Sequence, residues 1–133
     1  MDPPVLDSAT AIRTHLDEAL TPAERAESAV RFVLCDGGNR VRVHCPVDGL
    51  DPAADPEVCQ QAATVFATAL AGGESRGGML VVLTRPGSAA VTAADRVWFH
   101  ATRQACAEHG IRMLGVHVLT PATIREIVLD DAL

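Results

Sequence analysis

The chain reads as an α/β domain, a three-layer fold built on a mixed β-sheet with a helical segment in front. Three observations predict it. A hairpin pattern, Val30 to Cys35 and Arg40 to Val47 around Asp36-Gly37-Gly38-Asn39, comes early. A continuously apolar run, Met79 to Leu83, lies between two stretches of helical period, as a strand buried on both faces does. The order helix, strand, strand, helix, strand, helix, strand then calls for layered packing with right-handed crossovers. At 133 residues this is one domain with enough chain to bury a core.

The elements follow in order. Ser8 caps a helix from Ala9 to Leu20 whose stripe is Ile12, Leu16, Ala19 and Leu20. Thr21-Pro22-Ala23-Glu24 is a second start, with a cap, proline at the first position and glutamate at the third. Residues 1–28 thus form an N-terminal helical segment, and 29–133 the α/β domain. If Gly37 and Gly38 are the two turn residues, Val30, Phe32 and Leu34 share a core face with Val41, Val43 and Cys45. Arg31, Val33 and Cys35 then share the other face with Arg40, Arg42 and His44, a face expected to be wet, basic or covered by a polar partner. Asp51 to Asp55 is a proline-broken loop. Asp55-Pro56-Glu57 opens a helix to Ala71, with Val58, Ala62, Val65, Phe66, Ala69 and Leu70 as its apolar stripe. Thr92 and Asp95 form a capping box for a helix that stops at Gly110, with Trp98 as its packing anchor. Ile111 to Leu119 is a strand, and Thr120-Pro121 restarts a short helix or turn.

Composition narrows the function. Hydrophobic residues make up 48% and charged residues 21%, the balance of a globular chain. All basic residues are arginine, and the net charge is −6, so the chain lacks the overall field that draws nucleic acid or anionic lipid. No run of about 18 apolar residues is present, which excludes a spanning helix. The start Met1-Asp2-Pro3-Pro4 lacks a signal pattern, and a cytoplasmic protein is the expectation. Cys35, Cys45, Cys59 and Cys106 are widely spaced and read as thiols, several of them buried.

One segment carries a resemblance. Leu83-Thr84-Arg85-Pro86, the loop Gly87 to Val91 and Thr92-Ala93-Ala94-Asp95 are similar to the metal-binding segment of the JAB/RadC-like family. That family's pattern is His-x-His-Pro, a short loop, then Ser-x-x-Asp. Pro86 and Thr92-x-x-Asp95 match it, Leu83 and Arg85 stand at the two histidine positions, and the loop is one residue short. Further on, Cys106 to Val118 resembles the stretch where a helix ends in glycine and the next strand carries Asp-His. Gly115 and Val116 replace that pair, and His117 is one position off. The likeness runs from Val30 to Glu126. It implies a strand-strand-helix-strand-helix-strand core with a dismantled ligand set. A hydrolytic zinc site uses three protein ligands and an open position, so no zinc and no other cofactor is expected here.

The candidate residues are then few. Arg85, Ser88, Thr92 and Asp95 lie where a buried strand meets a helix N-terminus, the place where α/β sheets bind ligands and anions. They could serve an enzyme or hold a small anion, and the alternative is a solvated loop with a salt-bridged arginine. Asp95 alone could equally serve as a first-turn acid. Arg31, Arg40, Arg42 and His44 are the clustered positive charge, open to weak nucleic-acid association, but the chain has no tyrosine and one tryptophan to stack bases. His44, His100, His109 and His117 show no metal-ligand spacing. The reading is a catalytically inactive domain acting through protein–protein contacts. It is expected to self-associate as a homodimer, with the Ile12, Leu16 and Leu20 stripe at the seam; the alternative is a monomer whose N-terminal helices fold back over its own sheet.

Overall fold

The computed structural model describes residues 3–53, 55–73 and 76–133. The Met1-Asp2 start and Ala54 of the Asp51–Asp55 loop lie outside the described residues. Among the described residues a five-stranded mixed sheet runs in the order β2-β1-β3-β4-β5. Its strands are β1 (Ala29–Cys35), β2 (Val41–Pro46), β3 (Gly78–Thr84), β4 (Arg112–Leu119) and β5 (Ile124–Ile127). Strands β3 and β4 are parallel, joined through a helix, and the other pairings are antiparallel.

The sheet is covered on both faces. On one lie α3 (Pro56–Ala71) and α4 (Ala93–His109), which pack with Phe32, Val81, Leu83, Val116 and Val118 into the larger core. Phe32 stacks on Phe66 at 4.2 Å between ring centroids and meets Trp98 edge-on at 6.1 Å, and the Trp98 indole donates to Pro52 O at 2.8 Å. On the other face α1 (Ala9–Ala19), followed by the short α2 (Pro22–Arg25), lays Ile12, Leu16 and Leu20 over Val33, Cys35, Leu80, Val82 and Leu119. The three-layer α/β expectation is met, with one strand more than expected.

Several expectations are corrected here. The second hairpin face is covered along β1, an inner strand paired on both sides, where Arg31, Val33 and Cys35 are buried, while Arg40 and Arg42 stay exposed. Both faces of β1 must be covered, and the chain's own N-terminal helix does this. The stripe assigned to a dimer seam is therefore buried at home, with Leu16 fully enclosed. The turn holds three residues, since Asp36 N donates to Arg40 O and Asn39 takes φ 61°. A register irregularity beside it puts Val41 on the α1 face, while Cys45 keeps the expected core face and Val43, opposite Leu34, is left exposed.

The α3 stripe is also rotated. Cys59, Ala63 and Ala67 are buried, while Val58 and Val65 stand 40% and 64% exposed. Small side chains let α3 sit close against its neighbours, and the larger valines are left outside. The expected helix or turn after Thr120 is instead the edge strand β5, reversed through paired backbone bonds between Thr120 and Thr123.

Gly77 shows how tightly β1 and β3 approach. A Cβ there would sit on the Cys35 carbonyl and against Leu70. Gly77→Ala is expected to cost about 1–3 kcal/mol in urea unfolding. A variant as stable as the parent would show that the strand lead-in yields freely.

Candidate functional site

The carboxyl end of β3 is where the sequence places its best candidates. β3 ends in Thr84, the chain turns at Arg85-Pro86-Gly87, and Thr92 caps α4. The capping box is complete, with Asp95 N donating to Thr92 Oγ1 and Thr92 N to Asp95 Oδ2. Asp95 is buried, and Arg85 grips it bidentately, Nη1 to Oδ1 at 2.7 Å and Nη2 to Oδ2 at 2.9 Å. The same guanidinium donates to Ser88 O through Nε and to Ala90 O through Nη2. Ser88 Oγ accepts from Ala90 N.

Arg85, Ser88, Thr92 and Asp95 are thus brought together, and they bind one another. A cleft of about 320 Å³ lies beside them, between this loop and Asp51-Pro52-Ala53. Its charged lining is the closed Arg85–Asp95 pair and, opposite, Asp51, whose carboxylate accepts from Ala53 N. An incoming anion would have to break a bidentate pair and leave a buried carboxylate behind. Leu83, at the end of the same strand, is turned into the larger core.

On the other side of the strand end, Thr84 Oγ1 donates to Glu27 O at 2.7 Å and accepts from Arg31 Nη1 at 3.1 Å. Arg31 is buried beneath α2 and lies 4.0 Å from Glu24. It therefore leaves the expected basic patch. His44 leaves it too, because its Nε2 lies 2.8 Å from Nε2 of His15 on α1. Burial lowers the pKa of both imidazoles. For His44 the His15 and Arg31 charges add to this, and for His15 Glu18 opposes it. The neutral pair, one ring donating to the other, ties α1 to the edge strand β2.

Arg40 and Arg42 remain exposed, with Arg42 ion-paired to Asp36 at 3.0 Å. The structure adds two arginines that sequence spacing could not supply. Arg112, at the start of β4, donates to Asn39 Oδ1, Asp36 O and Arg76 O. Arg76 lies over Gly110, where the left-handed residue ends α4. Arg112 is 73 residues from Asn39 in sequence, so no local pattern announces the cluster.

His117 is the buried group that the sequence left without a role. It faces α1 from β4, with no hydrogen-bond partner for Nδ1 among the described residues. Burial, reinforced by the Arg13 charge, pushes its pKa down to about 4. Gly115, at φ 131°, makes room, since a Cβ there would press on the imidazole. The thiols of Cys35, Cys59 and Cys106 are pushed up to about 11, chiefly by burial, which suits packing rather than nucleophilic attack. Among the described residues, no three His, Cys, Asp or Glu side chains converge as a metal site, and no helix is long and apolar enough to cross a membrane. Compared with protein-family models, curated proteins and solved structures, the chain matches none.

Proposed function

We propose that this chain is a catalytically silent domain of the JAB/RadC-like type that acts through protein–protein contacts, as a homodimer. The observation that carries this reading is the Arg85–Asp95 pair, with both carboxylate oxygens held by one guanidinium at the carboxyl end of β3. Every residue that a small-anion site would need there already has an intramolecular partner. The order β1, β2, α3, β3, α4, β4 also follows the strand-strand-helix-strand-helix-strand plan that the resemblance implies. With Leu83 packed in the core, the first histidine position of that plan has become part of the hydrophobic interior.

Two measurements test this. Titrating the protein with zinc and with inorganic phosphate, followed by amide shifts around Arg85 and Asp95, should give no saturable change. A stoichiometric site at that loop would overturn the silent reading. Light scattering at concentrations on the order of tens of micromolar should give twice the chain mass. A monomer there would remove the homodimer. Deleting residues 1–28 is expected to uncover the sheet and unfold or aggregate the chain, since its apolar stripe serves the chain's own core.

A further inference from the structure

The geometry points to the β1–β2 turn end of the sheet as a docking surface for an acidic protein segment, gripped by Arg40, Arg42, Arg76 and Arg112. The inference rests on the reading of this chain as a contact domain and names the chemistry of the partner.

Three separate parts of the chain bring four arginines to this end of the sheet, with the Arg76 guanidinium lying over Gly110 and its carbonyl held by Arg112. Arg112 reaches Asn39 Oδ1 and Asp36 O at 2.9 Å and Arg76 O at 3.2 Å. All three acceptors are neutral, so the charge is fixed in place but not neutralised. Arg42 meets Asp36 Oδ2 at 3.0 Å, and Asp36 Oδ1 accepts from Gly38 N and Arg40 N. Asp36 is the single carboxylate paired with an arginine in this cluster among the described residues. Glu108, on the last turn of α4, turns to Gln104 instead. Arg40, Arg42, Arg76 and Arg112 are all exposed.

On a chain of net charge −6 four arginines gather here, with Asp36, Asp7 and Glu108 as the described carboxylates nearby. A longer run of acidic groups lies elsewhere. Asp48, Asp51, Asp55 and Glu57 follow β2, whose last residue, Pro46, pairs with Arg31 at the far end of β1 from Asp36. Complementary charge at a rim steers encounter and fixes register, and forked guanidinium groups fit carboxylates bidentately. Guanidinium groups already positioned by backbone carbonyls lose less freedom on binding.

A carboxylate-bearing segment fits better than nucleic acid. Trp98, Phe32 and Phe99 are buried and Phe66 is partly buried, so no aromatic platform faces the patch. A protein that binds duplex through its phosphates commonly makes about 6–10 such contacts, more than four arginines at this end of the sheet provide. The acidic remainder of the chain repels a long polyanion but tolerates a short acidic segment.

The test uses the full chain and a fluorescent polyglutamate peptide, with polyglutamine of equal length and an oligonucleotide of equal charge as the other arms. The peptide should bind saturably and weaken as salt rises, and polyglutamine should not bind. Arg40→Glu with Arg76→Glu should weaken the peptide about tenfold. Arg103→Glu, a charge reversal on the exposed face of α4, should leave it within about twofold. Melting curves show whether each variant is folded, and the salt dependence of the unaltered protein tests the patch if a variant is not. Equal loss in Arg103→Glu, binding of polyglutamine, or tighter binding of the oligonucleotide would each overturn the assignment. Self-association competing with the peptide would hand the surface to a second copy and overturn it as well. None of these outcomes touches the zinc and phosphate titrations at Arg85, so the two readings fail separately.

Discussion

Arg85→Met is expected to destabilise the domain by about 3–5 kcal/mol, because it strands the carboxylate of Asp95 where water cannot reach it. The pair is asymmetric. The Asp95 side chain is 2% exposed and that of Arg85 21%, so the two deletions should not cost the same. Asp95→Asn leaves a guanidinium that still bonds Ser88 O and Ala90 O and can turn toward solvent. It also keeps a side-chain oxygen for the Thr92 N–H. A loss of about 1–2 kcal/mol is expected there, in the range of a weakened cap. The double variant Arg85→Met, Asp95→Leu should recover much of the single loss, since an apolar pair removes the unpaired charge. Urea unfolding of the three proteins decides it. Equal, small losses in both single variants would show that Asp95 finds other partners and that the clamp contributes little.

How much of this was legible in the sequence depends on how local the deciding contacts are. The capping box of Thr92 and Asp95, the left-handed stop at Gly110 and the buried run of β3 are written within a few residues of one another. They were readable for that reason. The Arg85–Asp95 pair was half readable, since the sequence offered a salt-bridged arginine without naming its partner. The face of α3 was read in part: Ala62, Phe66 and Leu70 pack against the core, but periodicity alone also favours the large Val58 and Val65, which stand outside. Close packing instead selected Cys59, Ala63 and Ala67, whose value is their small size. The destination of the Ile12, Leu16 and Leu20 stripe was equally open. A stripe says that a surface must be covered and cannot say by whom. The pairing of His15 with His44 and the meeting of Arg112 with Asn39 join distant segments. Only the fold brings them within reach.

The N-terminal helix is held over groups that acid should turn against it. His117 lies beneath α1, with its pKa near 4 and no acceptor for a second proton on Nδ1. His15 and His44 meet at the helix's edge, both with lowered pKa values. A histidine whose folded pKa lies below its unfolded value stabilises the fold fully above the unfolded value. That contribution is lost as pH falls toward the folded value. For His117 the window therefore runs from 6.5 down to about 4, and the loss across it is about 3 kcal/mol. The His15–His44 pair works in the same direction. Its proton-bearing form would also face Arg31 from β1, with Glu18 on α1 as the opposing charge. Asp36 and Glu24, whose pKa values are lowered, lose their contribution only below the ordinary carboxylate range and so act later. Unfolding free energies from urea titrations at about pH 7 and about pH 4.5 should show most of the drop. In His117→Leu the drop should be visibly smaller, and in His15→Gln the remainder should shrink. Hydrogen exchange should place the earliest opening in α1, before the α3–α4 face. An acid response unchanged in His117→Leu would mean that this imidazole stays neutral without cost and that another group governs the acid limit.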